Sequence, residues 1–123
     1  MIIRMLGLSI AGIIAIASSA VAQQTLPSYQ ADPDTYKVIF EDQNFRVIAA
    51  TWKKGTTDKP HSHPLPFVVY PLTDCTLRLR NADGTSREAP SKAGVVFAGP
   101  VVASHTGENI SGVDCRAIFV ERK

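Results

Sequence analysis

The stretch "KGTTDKPHSHPLPF", residues 54–67, contains two of the three histidines in this 123-residue chain. His61 and His63 are one residue apart, and in a β-strand alternate side chains project from the same face. Two neighbouring imidazoles repel each other when both are protonated, so this pairing suits a cation that takes two neutral nitrogens. Two exposed histidines near a turn would give the same pattern, so the pair alone leaves both interpretations open.

The third histidine, His105, lies in "GVVFAGPVVASHTGEN", residues 94–109. Together the two stretches resemble the motifs of the cupin superfamily, G-x5-H-x-H-x3-E-x6-G and G-x5-P-x-G-x2-H-x3-N. The matching positions are Gly55, His61, His63, Gly94, Pro100, His105 and Asn109. The resemblance implies a jelly-roll barrel that holds one divalent metal ion through the three histidines at its mouth. Imidazole suits Zn, Cu, Fe and Ni alike, so the identity of the metal stays open.

Three positions depart from the family pattern: Phe67 replaces the motif glutamate, and Asp74 and Val102 replace glycines. The first departure removes the carboxylate ligand, and the remaining three-histidine set resembles that of thiol dioxygenases and some other cupin oxygenases. The resemblance therefore implies a metal-dependent oxygenase or isomerase of a small molecule. Two alternatives stay open: a non-catalytic module that binds a small ligand or metal, and a barrel that keeps the histidines but binds no metal or binds it only adventitiously.

Other residues are candidates for the same site. Phe67 shares strand parity with the first two histidines, which predicts an apolar wall of the pocket. Tyr70 is a second pocket candidate, although tyrosines on short strands are more often packing residues. Glu108 is a candidate general base or hydrogen-bond acceptor for an imidazole. Its parity differs from that of His105, which favours a solvated turn carboxylate instead.

The remaining pattern is typical of an all-β chain. Short apolar runs alternate with turn signals, and "TLRLR" places Leu77 and Leu79 on one face and Arg78 and Arg80 on the other. "NADGTS" predicts a hairpin turn around Gly84. No segment beyond the N-terminus shows a helical period over ten residues. We therefore predict a single all-β barrel, the cupin domain, over residues 36–123, preceded by an extended arm over residues 23–35.

The N-terminus predicts export. Arg4 precedes an uncharged run, Met5–Ala22, that ends in A-x-A, which describes a signal peptide over residues 1–22 cleaved after Ala22. The competing interpretation is an uncleaved membrane anchor, but the polar Ser18–Ser19 pair favours cleavage and no stable anchor. The expected location is periplasmic or extracellular. If the ion is acquired there, the order of divalent-metal affinities favours Cu or Zn.

The two cysteines fit such a compartment. Cys75 and Cys115 either form a disulfide or are two independent buried thiols. A loop of about 40 residues would stabilise the fold by about 4 kcal/mol. Without Arg4 the chain has 12 basic and 11 acidic residues, scattered along the sequence, which argues against a nucleic-acid partner. The partners we expect are a small-molecule ligand or substrate and, through an edge strand or the arm, a second copy in a homodimer.

Overall fold

The structure, a computed structural model, describes residues 13–17 and 25–123. Most of the predicted signal peptide, including its cleavage site after Ala22, lies outside these residues and stays a prediction. The one helix in the described part, α1 (Ser28–Ala31), is a single turn, and no described helix is long and apolar enough to cross a membrane. The nine strands are β1 (Tyr36–Glu41), β2 (Phe45–Trp52), β3 (His61–His63), β4 (Phe67–Pro71), β5 (Cys75–Asn81), β6 (Ser86–Ser91), β7 (Phe97–Gly99), β8 (Val102–Asn109) and β9 (Cys115–Arg122).

The strands form two sheets whose paired neighbours are all antiparallel. The larger sheet has the order β1-β2-β9-β4-β7, and the smaller sheet has the order β3-β8-β5-β6. The turn between β5 and β6 contains Gly84 at φ 87°, a conformation that L side chains rarely adopt. The predicted all-β fold and the predicted hairpin are therefore confirmed.

The core lies on the inner face of the larger sheet. In β9 every second residue is buried, which is the two-residue period of a strand with one face covered by the core. The same alternation runs through β4, where every other residue is buried. The buried apolar residues are Tyr36, Ile48, Ala50, Trp52, Phe67, Val69, Cys115, Ala117 and Phe119.

A disulfide between Cys75 and Cys115 connects β5 of the smaller sheet to β9 of the larger sheet. Of the two alternatives that the sequence leaves open, the structure has the disulfide. Because the bond joins strands of different sheets, it closes the barrel where these sheets have no backbone hydrogen bonds between them.

The segment before β1 differs in part from the predicted extended arm. Residues 28–31 form the helical turn α1, in which the Asp32 N–H donates to the Ser28 carbonyl. Pro27 precedes this turn, and proline is compatible with a helix start because it lacks the N–H that would be unsatisfied there. The segment also lies against the barrel, since the Ser62 N–H donates to the Leu26 carbonyl at 2.9 Å.

Candidate metal site

Pairing of β3 with β8 brings two of the three histidines face to face. His61 lies directly opposite His105 in the antiparallel register, and a register shift separates this pair from the pair that His63 makes with Val102. Residues directly opposite each other on one face of a sheet are the closest side-chain neighbours that two strands provide. The two sequence stretches therefore meet because their strands are neighbours in the smaller sheet.

The three imidazoles converge through the same ring nitrogen. The Nε2 atom of His61 lies 3.1 Å from the Nε2 atom of His63 and 3.1 Å from the Nε2 atom of His105. The donor nitrogens of all three lie within 4.8 Å of one another. Two nitrogens bound tetrahedrally to one Zn²⁺ at the usual bond length are about 3.3 Å apart. The two 3.1 Å spacings are therefore close to those around a single ion, and the set could bind a metal.

The tautomer of His61 is fixed by its other ring nitrogen. Nδ1 lies 2.8 Å from the Lys59 carbonyl oxygen, which can only accept a hydrogen bond. In the neutral ring the proton is therefore on Nδ1, and Nε2 presents a lone pair to its two neighbouring imidazoles. A metal-binding histidine usually makes this kind of hydrogen bond through its second nitrogen.

The Tyr36 hydroxyl oxygen directs a second lone pair toward His61 Nε2. Its hydroxyl donates to Asp58 Oδ2 at 2.7 Å, and its oxygen lies 3.3 Å from His61 Nε2. Because the phenol has one proton and the charged carboxylate is the stronger acceptor, two lone pairs face each other across this 3.3 Å gap. Burial and the Asp58 charge raise the Tyr36 pKa well above its usual value, so the phenol keeps its proton. A cation at the histidine centre would relieve this repulsion.

Asp58 is a buried carboxylate behind the histidines. In addition to Tyr36, it accepts hydrogen bonds from Trp52 Nε1 at 2.8 Å and from the Gly107 N–H at 2.6 Å. Its Oδ1 atom lies 3.7 Å from His61 Nδ1. Three donors satisfy this charge away from water, as a buried carboxylate requires. The carboxylate holds Tyr36 and Trp52 in place and puts one negative charge beside the cation site.

The site favours neutral imidazoles. Burial, followed by the charges of His61 and His105, lowers the pKa of His63 to about 3. Burial, followed by the charges of His61 and Arg87, lowers the pKa of His105 to about 4. Neutral imidazole is the form that binds metals. His63 Nδ1 is buried and has no hydrogen-bond partner among the described residues.

A cavity of about 550 Å³ opens in front of the histidines. The residues that line it include His63 and His105 and a majority of apolar side chains, with Phe67 among them. The Phe67 ring lies 4.7 Å from the His63 ring and 5.5 Å from the Phe119 ring, measured between centroids. At the position where the motif has glutamate, the structure thus has an aromatic ring packed on a histidine.

The structure places two other candidate residues outside the cavity lining. Tyr70 is half exposed and does not line the cavity, because β4 alternates and the inward positions belong to Phe67, Val69 and Pro71. Glu108 lies in β8 rather than in a turn, and its carboxylate accepts from Arg78 at 2.8 Å. It does not line the cavity, as its strand parity indicates, so it is not placed to act as a base there.

Sequence reasoning missed three residues near the histidines: Tyr36, Asp58 and Arg87. Asp58 had a signal, since it is a carboxylate three residues before His61 within the motif loop. Tyr36 begins the first apolar run, where nothing distinguishes it from an ordinary core aromatic. Arg87 follows the hairpin turn, and only its strand parity relative to Leu79 could have placed it on the cavity side.

An antiparallel barrel of two sheets with three convergent imidazoles, two of which line its cavity, defines the class of this protein, which has the cupin fold. The sequence-based recognition is confirmed at the level of the fold. No family model and no curated protein matches the sequence.

Solved structures agree with this assignment. A cupin domain from Bordetella pertussis Tohama I has 24% identity and a TM-score of 0.66, covering 72% of this chain and 91% of that one. An RmlC-like cupin family protein from Methanocaldococcus jannaschii has 12% identity and a TM-score of 0.57, covering 90% and 93%. The Clostridium difficile EutQ protein has 16% identity and a TM-score of 0.53, covering 80% and 75%. At these identities the likeness shows the fold alone.

Proposed function

We propose that this chain is an exported metalloprotein that holds one divalent ion through His61, His63 and His105 and acts as a metal-dependent oxygenase of a small molecule. The observation that carries the proposal is the convergence of three Nε2 atoms, with 3.1 Å between His61 and each of the others. A bound ion would supply Lewis-acid or redox chemistry at the cavity. Zn and Cu are the ions we expect after export, and Fe and Ni fit the same donors.

The residues of the chain would hold the ion and shape the space in which a substrate binds. The histidines offer three nitrogen donors, and burial keeps the pKa values of His63 and His105 low. The cavity accepts a small and largely apolar molecule. Phe67 covers one side of His63 and keeps water from that side of the ring. Tyr36, held by Asp58, places a hydroxyl oxygen beside His61.

A second candidate is a non-catalytic cupin that binds a small ligand or metal in the same cavity. One observation favours it: among the described residues, no aspartate or glutamate lines the cavity, so an acid–base pair is missing there. An isomerase, the other enzyme class that the resemblance implies, needs such a group more than an oxygenase does.

Elemental analysis of the purified full chain tests the proposal first. We expect about one metal ion per chain, lost in His105→Ala and His105→Gln. The control Thr106→Ala changes the next residue of β8 and should retain the ion. Substoichiometric metal in the wild type, after incubation with excess Zn²⁺ and desalting, would overturn the proposal.

Oxygen uptake then distinguishes the two candidates. Cu-, Fe- and Zn-loaded protein is mixed with thiols, diketones and phenols, and uptake is followed with an electrode. Uptake that disappears in His105→Gln but persists in Thr106→Ala supports the oxygenase. A protein that retains zinc and takes up no oxygen with any metal and substrate supports the binding module.

A further inference from the structure

The cavity carries positive charge without a carboxylate to balance it. Of the charged residues that line it in the described part of the chain, two are arginines, Arg87 and Arg116, and none is acidic. The nearest carboxylate to the histidines is Asp58, whose oxygens already accept from Tyr36, Trp52 and Gly107. A divalent ion on three neutral imidazoles would add two further positive charges. Because two arginines and no described carboxylate line the cavity, a bound ion would add to a positive potential there, and such a site favours an anion.

Arg87 is exposed and lies on the cavity side of β6. It lies on β6 directly opposite Leu79, which lines the cavity, and it shares its strand parity with Ala89, which also lines it. It forms no ion pair in the described part of the chain. Arg116 instead lies on the outward register of β9, between two buried residues, Cys115 and Ala117.

Arg87 and the histidines are on strands that are not adjacent, so a ligand that contacts both has a minimum length. Its strand is separated from β8 by β5, and strands two apart are about 10 Å from each other. A ligand that reaches both must therefore span the apolar middle of the cavity, which includes Leu77 and Leu79.

We propose that the ligand of this cavity is a small carboxylate with an apolar body, whose carboxylate binds Arg87 and whose other end lies at the histidines. This inference rests on the proposed function, because it assigns a substrate class to the same site. A guanidinium fork matches the two oxygens of a carboxylate. A phosphate ester needs more donors. Leu79 and Ala89, the lining residues beside Arg87, provide none, and the Asn81 amide already donates to Thr85.

Calorimetric titration of the zinc-loaded full chain tests the inference with a matched pair of ligands, 3-phenylpropanoate and 3-phenylpropanamide. The two have nearly the same shape, and only the first is charged. We expect the carboxylate to bind at least tenfold more tightly than the amide, and less tightly as NaCl is raised. Equal affinities, or tighter binding of the amide, would overturn the inference.

Two arginine variants show whether the preference comes from Arg87 or from the metal. Arg87→Met should reduce carboxylate affinity about tenfold, to that of the amide, and should retain zinc. The control Arg80→Met lies on β5 at a position whose parity is opposite to that of Leu79 and should behave as the wild type. An Arg87→Met variant that keeps the preference would overturn the assignment to Arg87. Tighter, Arg87-dependent binding of 3-phenylpropyl phosphate would overturn the carboxylate class.

Zinc content and ligand preference together distinguish a failure of this inference from a failure of the proposed function. Protein that holds one zinc per chain but binds both ligands equally retains the metal site and loses the carboxylate assignment. Protein that holds no zinc but still prefers the carboxylate, in an Arg87-dependent manner, supports the anion site and overturns the proposed function.

Discussion

Phe67 is the residue at which this barrel differs most in chemistry from the motif that it resembles. Its ring is buried, lies 4.7 Å from the ring of His63 and packs against Phe119. A carboxylate there would contribute a negative ligand to the ion, and the aromatic ring contributes packing instead. The consequence is a site whose charge must be balanced by something other than a protein ligand, and Asp58 does this only through Tyr36 and a distant contact with His61.

Substitution of Phe67 by glutamate and by glutamine tests this account. Both changes should destabilise the metal-free protein by about 2 kcal/mol or more, because each buries a polar group in place of a packed ring. Only Phe67→Glu should then bind Zn²⁺ more tightly than the wild type, by about tenfold, because it adds a charged ligand. Competition titrations with a chelator measure the affinity, and urea unfolding in EDTA measures the stability.

Phe67→Gln serves as the control for size and polarity. Equal zinc affinities of the two variants would show that residue 67 is not within reach of the ion. The wall that we assign to Phe67 would then be a feature of packing only.

At the scale of secondary structure, the pairing of β4 with β7 keeps the Phe67 ring in place. The register puts Gly99 directly opposite Phe67. A Cβ atom added at Gly99 would come within 1.9 Å of two carbons of the Phe67 ring, far inside contact distance. The ring cannot move away freely because Phe119 and His63 lie against it. Gly99 is therefore required for close approach of the ring to the strand.

Gly99→Ala should lower the free energy of unfolding by about 1–3 kcal/mol, because overpacking forces the ring or the backbone to shift. Because the displaced ring packs on His63, zinc affinity should fall as well. Urea unfolding and chelator competition measure the two effects. The control is Gly112→Ala, where an added Cβ meets nothing within 4 Å. Wild-type stability in Gly99→Ala would contradict the close packing described here.

Some of the strands can be predicted from the sequence and others cannot. The apolar runs "YKVIFE" and "FRVIAATW" coincide with β1 and β2, and "TLRLR" lies within β5. Strands β3, β6 and β8 have no such pattern, because they are polar, contain proline or line the site. The motif predicts the positions of β3 and β8, and the hairpin turn alone indicates β6. Pro90 is tolerated in β6 because that strand is at the edge of its sheet.

At the scale of the whole molecule, the site depends on contacts that no local pattern encodes. The sequence predicts the three histidines through their spacing, and their convergence follows from the pairing of β3 with β8. The contributions of Tyr36 and Arg87 require the closed barrel, because they come from the first strand of one sheet and the edge strand of the other. Cys75–Cys115 connects these two sheets, so the disulfide belongs to the same closure that assembles the cavity.

The closed barrel buries His63 and much of His105, and this burial makes the stability of the metal-free protein depend on pH. The pKa values of His63 and His105 fall from 6.5 to about 3 and about 4 in the folded chain. Below pH 6.5 the unfolded chain therefore binds protons that the folded chain does not, and the free energy of unfolding falls as the pH is lowered. Each histidine contributes about 1.4 kcal/mol per pH unit well below its unfolded pKa. Above pH 6.5 both states are neutral at these residues, and the contribution disappears.

We therefore expect the urea midpoint of the chain in EDTA to decrease from pH 6.5 to pH 4.5. Glutamates begin to titrate near the lower end of this range, so the histidine contribution is measured against a variant that lacks it. The double variant His63→Gln/His105→Gln is the matched control and should lose most of this dependence, because glutamine does not titrate. Added Zn²⁺ should steepen the dependence in the wild type, since protons compete with the ion for the same nitrogens. An unchanged midpoint in the metal-free wild type would mean that the histidines are open to water, and the buried three-nitrogen site would not exist in solution.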